Sequence, residues 1–343
     1  MIGLRGPRER DTVSGTLRWG ILGPGHIASA QAADLVGSGF TVTAVGSRSE
    51  ASAREFADRF GIATAHGSYA ALVADPEVDV VYVATPHSFH YAHARLALEA
   101  GKHVLVEKSF TVTGDQAQAL VDLAAARGLV ILEAMWTRFL PHMVRMREII
   151  AAGTIGEVRS LIADHNQKLP TDPAHRLNNP DLAGGALLDL GIYPVSLASD
   201  VFGTPSSVRA EASFTGTGVD RQTSIMLGYA GGATALLQTS LDTLGPVTAS
   251  IIGTEGWIEL ASVWYEPCRL SVYSSRRELV ETFEADVPGR GMQFQAAELE
   301  RLVAAGEASG DMMPPAESVS IMRTLDEIRR QIGLDYPVVI MGV

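Results

Sequence analysis

The chain has 343 residues, 46% of them hydrophobic and 19% charged, which fits two globular domains and lies far from the disordered range. A formal net charge of −12 argues against a nucleic acid partner, and the absence of an apolar run near the ~20 residues of a bilayer span argues against a membrane one. A single cysteine, Cys268, cannot close an internal disulfide and reads as a core residue, so a reducing, cytoplasmic setting and small-molecule partners are expected.

Residues 1–17 carry Arg5, Arg8 and Arg10 without an apolar stretch, predicting a flexible tail rather than a secretory signal. From there strands and helices alternate. Strand Leu17–Leu22 leads through a glycine-rich turn to a helix over Ile27–Val36. Strand Phe40–Val45 and helix Glu50–Phe60 follow, then strand Asp79–Ala84, helix Phe89–Ala100 and strand His103–Val106. Thr113 and Gln116 predict a capping box for a helix to Arg127, before strand Val130–Leu132. This alternation predicts an α/β fold: a doubly wound parallel sheet over residues 18–137. Residues 138–343 read differently. Helices are expected over Pro141–Ala152, Gly184–Ala198 and Pro315–Arg330, with strands Ser224–Tyr229, Thr234–Ser240, Val247–Ile252, Trp257–Glu259 and Leu270–Tyr273. Short glycine-containing turns between those strands predict a second α+β domain with a large, mostly antiparallel open sheet. Its apolar strands need not be fully covered by helices, which predicts a homodimer through the sheet face.

Gly23-Pro24-Gly25-His26-Ile27-Ala28 is a G-x-G-x-x-A turn between the first strand and helix. Gly23 permits the tight turn, Gly25 the approach of a pyrophosphate, and Ala28 close helix–sheet packing. At the end of the second strand, where NAD-specific folds carry an acidic residue, stand Ser47 and Arg48. An arginine there pairs with a 2′-phosphate, so NADP is expected ahead of NAD.

Glu107-Lys108 follows the strand His103–Val106, at the carboxyl edge where ligands of such sheets sit. The chain has three lysines against 24 arginines, so a lysine there stands out, although an exposed loop lysine fits as well. Asp189 and Tyr193, four apart, share one face of an apolar helix and need partners when buried. A nearby ammonium would lower the phenol toward an acid/base range, and a purely structural pair is the alternative. His87, His90 and His93 recur every third residue but lack a completing carboxylate or cysteine, so no metal is expected. Nucleophile-elbow, P-loop and zincin motifs are absent from the sequence.

The segments WGILGPGHIA from Trp19, ATPHSFH from Ala84, AGKHVLVEKS from Ala100, EAMWTRFLP from Glu133 and GGALLDLGIYP from Gly184 together carry a resemblance. Over Arg18 to Leu334 the chain resembles the Gfo/Idh/MocA oxidoreductases, most closely the dimeric dihydrodiol dehydrogenase and NADP-dependent D-xylose dehydrogenase group. The resemblance implies hydride transfer at nicotinamide C4 with Lys108 and Tyr193 as the acid/base pair and Asp189 orienting the lysine or the substrate. It implies cofactor contacts at Gly23, Gly25, His26, Ile27, Ser47, Arg48, Thr85, Pro86, His90, Glu107 and Lys108. Trp136, Arg138, Phe139 and Arg176 become pocket residues, with interdomain packing an equal reading for Trp136 and Phe139. One position departs from the pattern: Ser109 stands where the family has a proline that assists a cis peptide bond. A non-proline cis bond costs about 3 kcal/mol, which raises the alternative of a trans bond and a shifted Lys108. Two other functions compete with the dehydrogenase reading: a nucleotide-binding sensor with weak catalysis, and redox-assisted glycoside cleavage.

Overall fold

A computed structural model describes residues 16–337; most of the predicted tail lies outside the described residues. Six parallel strands form the first sheet in the order β3-β2-β1-β4-β5-β6. These are β1 (Arg18–Leu22), β2 (Thr41–Gly46), β3 (Thr64–His66), β4 (Val80–Val83), β5 (His103–Glu107) and β6 (Ile131–Ala134). Covered on both faces, β4 is buried at all four positions, which is why it reads as an unbroken apolar run. The helices between them are α1 (His26–Gly37), α2 (Glu50–Phe60), α3 (Tyr69–Ala74), α4 (His87–Glu99) and α5 (Gly114–Arg127).

The helix starts divide into two kinds. Ser49, Ser68 and Thr113 cap α2, α3 and α5 by accepting a backbone N–H on their side-chain oxygens. Gln116 completes an offset box by accepting Val112 N–H at 3.1 Å. By contrast α1 and α4 begin at Gly25 and Pro86 with no side-chain cap. They follow β1 and β4, the neighbours at which the strand order reverses, so uncapped amides face the crevice where such sheets bind ligands.

An eight-stranded sheet follows, ordered β14-β13-β12-β11-β7-β10-β9-β8 and antiparallel except for the β7–β10 pair. Its strands are β7 (Val158–Asn166), β8 (Ser207–Phe214), β9 (Asp220–Gly228), β10 (Thr234–Ser240), β11 (Ala249–Gly253), β12 (Gly256–Leu260), β13 (Leu270–Ser274) and β14 (Leu279–Phe283). On β7 the residues Leu161, Ala163 and His165 face inward and are buried, while Ile162 faces outward at 48% exposure. Ile162, Leu236 and Met226 are register partners on that open face, forming an apolar row three strands wide.

Helix α6 (Pro141–Ala151) packs on the turn Trp136–Phe139, α7 (Ile192–Phe202) packs on the inner face against β7 and β10, and α8 (Gln293–Ala305) and α9 (Pro315–Ile332) return to the first sheet's helices, α9 also packing on β8. Asp34 of α1 accepts Met292 N–H at 2.9 Å, and Asp326 of α9 accepts Gly114 N–H at 2.7 Å. The single helix expected over Gly184–Ala198 is instead a π-helical turn, Leu187–Gly191, running into α7. The apolar stretch Pro180–Phe202 is also long enough for a bilayer, contrary to expectation, but 89% of its apolar window is buried inside the fold, where it is core.

Candidate active site

Gly23 has φ +96°, and a Cβ there would crowd the Thr85 methyl at 3.0 Å and the Ala84 carbonyl at 3.3 Å. Only glycine turns the chain so closely, which leaves Gly25 and His26 exposed and Ile27 half-buried at the start of α1. No acidic residue occupies the first turn of α1, so the residues present fit a pyrophosphate. Ser47 is buried with its hydroxyl accepting Ser49 N–H at 3.2 Å; Arg48 is exposed beside it. Arg48 opens onto a cavity of about 410 Å³ walled by Ser68, Tyr69, Thr85, Phe89 and His93. The Arg48 charge faces the Tyr69 hydroxyl, whose pKa is raised by burial and partly offset by that cation. Phe89 and His93 stack, and Tyr69 packs edge-on to His93. These aromatic walls fit a planar base, with Arg48 at its edge. Tyr69 escaped the sequence reading because the short β3–α3 unit carries no strong periodicity.

Two expected cofactor contacts are otherwise engaged. His90 is buried with Nδ1 against the Ser109 carbonyl at 2.8 Å and Nε2 against the Thr85 carbonyl at 2.7 Å. It ties the two loops together, and burial lowers its pKa to about 4. Glu107 is buried beneath the crevice, its two oxygens accepting from Tyr82 Oη and from Lys108 N–H at 3.2 Å. Burial pushes its carboxyl up to about 7. Thr85 and Pro86 line the same cavity as Arg48, at the start of α4.

Lys108 Nζ donates to the Asp189 carbonyl oxygen at 2.6 Å and lies 3.6 Å from its carboxylate. The Lys108–Ser109 bond is cis, so the trans alternative is not what the fold adopts. Ser109 is buried, its Oγ donating to the Leu188 carbonyl at 2.8 Å while its own carbonyl meets His90. Those contacts hold the serine, and Lys108 stays on Asp189. Burial alone would raise the Asp189 carboxyl; Lys108 and Arg176 nearby hold it well below the usual carboxylate range. Arg176, half-exposed at the rim, reaches that carboxylate at 3.2 Å.

The turn carrying Asp189 is anchored from below. A Cβ on Gly184 would lie 2.5 Å from the Leu177 carbonyl oxygen, and one on Gly185 (φ +112°) 2.1 Å from Asp220 Oδ1. Asp220 accepts Leu187 N–H at 2.8 Å and Thr223 Oγ–H at 2.7 Å, so Gly185 lets this buried carboxylate cap the π-turn, while Gly184 admits the Leu177 carbonyl.

Tyr193 stands beside Lys108, but Nζ lies 5.0 Å from the centre of its ring rather than at its hydroxyl. The expected lowering of the phenol is therefore absent: burial, then the Glu107 charge, push it well above its usual value. Trp136 Nε1 donates to Tyr193 Oη at 3.0 Å, leaving the phenol's own proton to point elsewhere. Arg138 and Phe139 are not pocket residues. Arg138 is fully buried and pairs with Asp200 and Glu317, and Phe139 belongs to the hydrophobic core. A buried guanidinium needs carboxylates around it, and these two satisfy it. Sequence reasoning missed His165, Gln167 and Tyr265. His165 packs edge-on to Tyr193 at 4.9 Å and stacks on Tyr265 at 4.1 Å. Among the described residues no cluster of three His, Cys, Asp or Glu could hold a metal.

The comparisons extend over nearly the whole chain. The profile of an oxidoreductase family with an NAD-binding Rossmann fold matches residues 17–134, and that of the GFO/IDH/MocA C-terminal domain matches residues 143–259. The chain is 38% identical to D-xylose 1-dehydrogenase (NADP(+)) of Hypocrea jecorina, covering 94% of this chain and 93% of that protein. It is 36% identical to trans-1,2-dihydrobenzene-1,2-diol dehydrogenase of Mus musculus, covering 94% and 98%. Among solved structures, a 3-ketoreductase from Actinomadura kijaniata in complex with NADP and TDP-benzene superposes with a TM-score of 0.81 at 27% identity, covering 92% and 98%. With both domains matched in order, this chain belongs to the GFO/IDH/MocA oxidoreductases.

Proposed function

We propose that this oxidoreductase uses NADP(H) to move a hydride between nicotinamide and the hydroxyl-bearing carbon of a sugar, cyclic polyol or trans-dihydrodiol. The observation that carries the reading is the meeting of Lys108, Asp189 and Tyr193 at the carboxyl end of β5, beside the crevice between α1 and α4. The uncapped start of α1 would hold the pyrophosphate and Arg48 the 2′-phosphate. The nicotinamide, when bound, accepts or supplies the hydride.

The protein's own groups handle the proton and the charge. Tyr193 is a neutral phenol at working pH, with Trp136 donating to its oxygen, so its proton is free to bond the substrate oxygen and to pass to it during carbonyl reduction. Oxidation is the reverse step and starts from the phenolate, so the phenol must first lose its own proton before its oxygen can take the substrate's. Lys108, pinned by the Asp189 carbonyl, supplies positive charge where the substrate oxygen turns negative. Asp189 fixes the lysine and brings Arg176 to the rim, where a polar substrate enters. NADPH absorbance over a panel of aldoses, cyclic polyols and trans-dihydrodiols tests the reading; a pure protein that binds NADPH yet turns over none of them refutes it.

The exposed row of Ile162, Leu236 and Met226 supports a homodimer joined through the open sheet face. Met226→Glu should yield monomers by light scattering, and a monomeric wild type at micromolar concentration would overturn this assembly. The acidic chain and single cysteine support a cytoplasmic enzyme working on small molecules, without nucleic acid or membrane partners.

A further inference from the structure

The turn Gly289-Arg290-Gly291 is built onto α1, the helix whose start faces the crevice. Both glycines have positive φ, +65° and +85°, and a Cβ would strike Asp34 Oδ1 at the first and the Leu140 side chain at the second. Asp34 of α1 accepts the backbone N–H groups of Arg290 at 3.0 Å and of Met292 at 2.9 Å. A second tie runs beside it, from the Gln295 amide of α8 to Gln31 of α1 at 2.8 Å. So fixed, the turn lays the Arg290 guanidinium over Trp136, 5.3 Å from the ring centre, where Glu266 accepts from it at 2.8 Å. Trp136 is fully buried, and its indole N–H is the one that donates to Tyr193 Oη. A half-exposed ion pair by itself adds little to stability and needs no such anchoring.

We propose that Arg290 is a positioning residue that, through Trp136, steadies the negative charge left on Tyr193 when its proton passes to the substrate. The inference rests on the acid/base reading above. In reduction the carbonyl carbon gains the hydride of NADPH and the carbonyl oxygen takes the phenol's proton. Tyr193 is then a phenolate until solvent reprotonates it. As charge develops on that oxygen, the hydrogen bond from Trp136 strengthens. A cation against the indole face draws electron density from the ring and makes the N–H a better donor. The guanidinium also acts on the phenol directly in the same sense. It favours the ionised form, whereas burial and the Glu107 and Asp189 charges disfavour it. Glu266 already engages the guanidinium, which sets Arg290 apart from an anchor waiting for an anionic substrate.

The test measures kcat and KM separately, per folded molecule, on the aldose, cyclic polyol or trans-dihydrodiol that the wild type turns over fastest. Arg290→Gln should lower kcat about tenfold and leave KM and NADPH affinity within about twofold of wild type. Arg290→Lys, which keeps a cation over the ring, should recover most of the loss. Trp136→Phe keeps a ring and removes the N–H. In that background Arg290→Gln should cost almost nothing further, because the link to Tyr193 is already cut. An unchanged kcat in Arg290→Gln, a raised KM at unchanged kcat, or losses that multiply fully with Trp136→Phe would overturn the inference. Should Trp136→Phe fail to fold, kcat and KM of the two Arg290 variants decide alone. Tyr193→Phe in the same assay separates the two readings. A wild-type rate there overturns the acid/base assignment itself, whereas a slow Tyr193→Phe beside a fully active Arg290→Gln overturns only the role of Arg290.

Discussion

Replacing Tyr193 by phenylalanine deletes one oxygen and keeps the ring against which His165, Tyr265 and the Lys108 ammonium pack. Two costs follow, and the structure separates them. Trp136 Nε1, buried and 3.0 Å from the lost oxygen, is left without its acceptor, which should cost about 1–3 kcal/mol of stability. Loss of the proton donor should slow turnover by about 10²–10⁴-fold, equivalent to about 2.7–5.5 kcal/mol in the barrier. The two ranges touch, so turnover must be counted per folded molecule, with NADPH titration giving the folded fraction. Lys108→Met should slow turnover comparably, since the charge beside the reacting oxygen disappears while Asp189 keeps Arg176. The double variant should lose far less than the product of the two single losses, because the groups act as a unit. Asp189→Asn should be milder if it only orients the lysine. A folded Tyr193→Phe protein that binds NADPH and turns over substrate near the wild-type rate would refute the assignment.

Arg48→Ala should weaken NADPH by about 1.5–3 kcal/mol, the worth of a hydrogen bond to a charged group, while NADH affinity barely moves. Equal losses by fluorescence titration would show that Arg48 does not read the 2′-phosphate. Arg138→Met should cost about 3–5 kcal/mol in denaturant unfolding, because Asp200 and Glu317 lose a shared buried partner. Its KM should stay at the wild-type value; a raised KM with unchanged stability would return Arg138 to the substrate pocket.

The Rossmann half is legible because its physics is local. Strands buried on both faces read as apolar runs, and Thr113 announces the helix it caps. Lys108 and the Gly23–Gly25 turn stand out for the same reason, since each lies at the end of a readable strand. The second half hides more. In β7 the outward Ile162 is as apolar as the inward Leu161 and Ala163, because that face is an uncovered apolar row, and the alternation that marks a half-buried strand is lost. Helix α8, Gln293–Ala305, was missed: it buries Gln293, Gln295 and Glu300 alongside its apolar residues, which blurs the stripe.

The misassigned residues share one cause, which is that other groups of the fold engage their polar atoms. Arg138 reads as a pocket residue until Glu317, 179 positions later, is seen beside it. Glu107 and His90 carry polar atoms next to a cofactor loop, but Tyr82 and two carbonyls engage them first. His165 shows the converse: the sequence passes over it, and its place against Tyr193 and Tyr265 emerges only once β7 is placed in register. Residues of the common chemistry follow local motifs that a sequence displays. Side chains brought to the site by a sheet strand whose register is set by long-range pairing are the part that the sequence alone displays least.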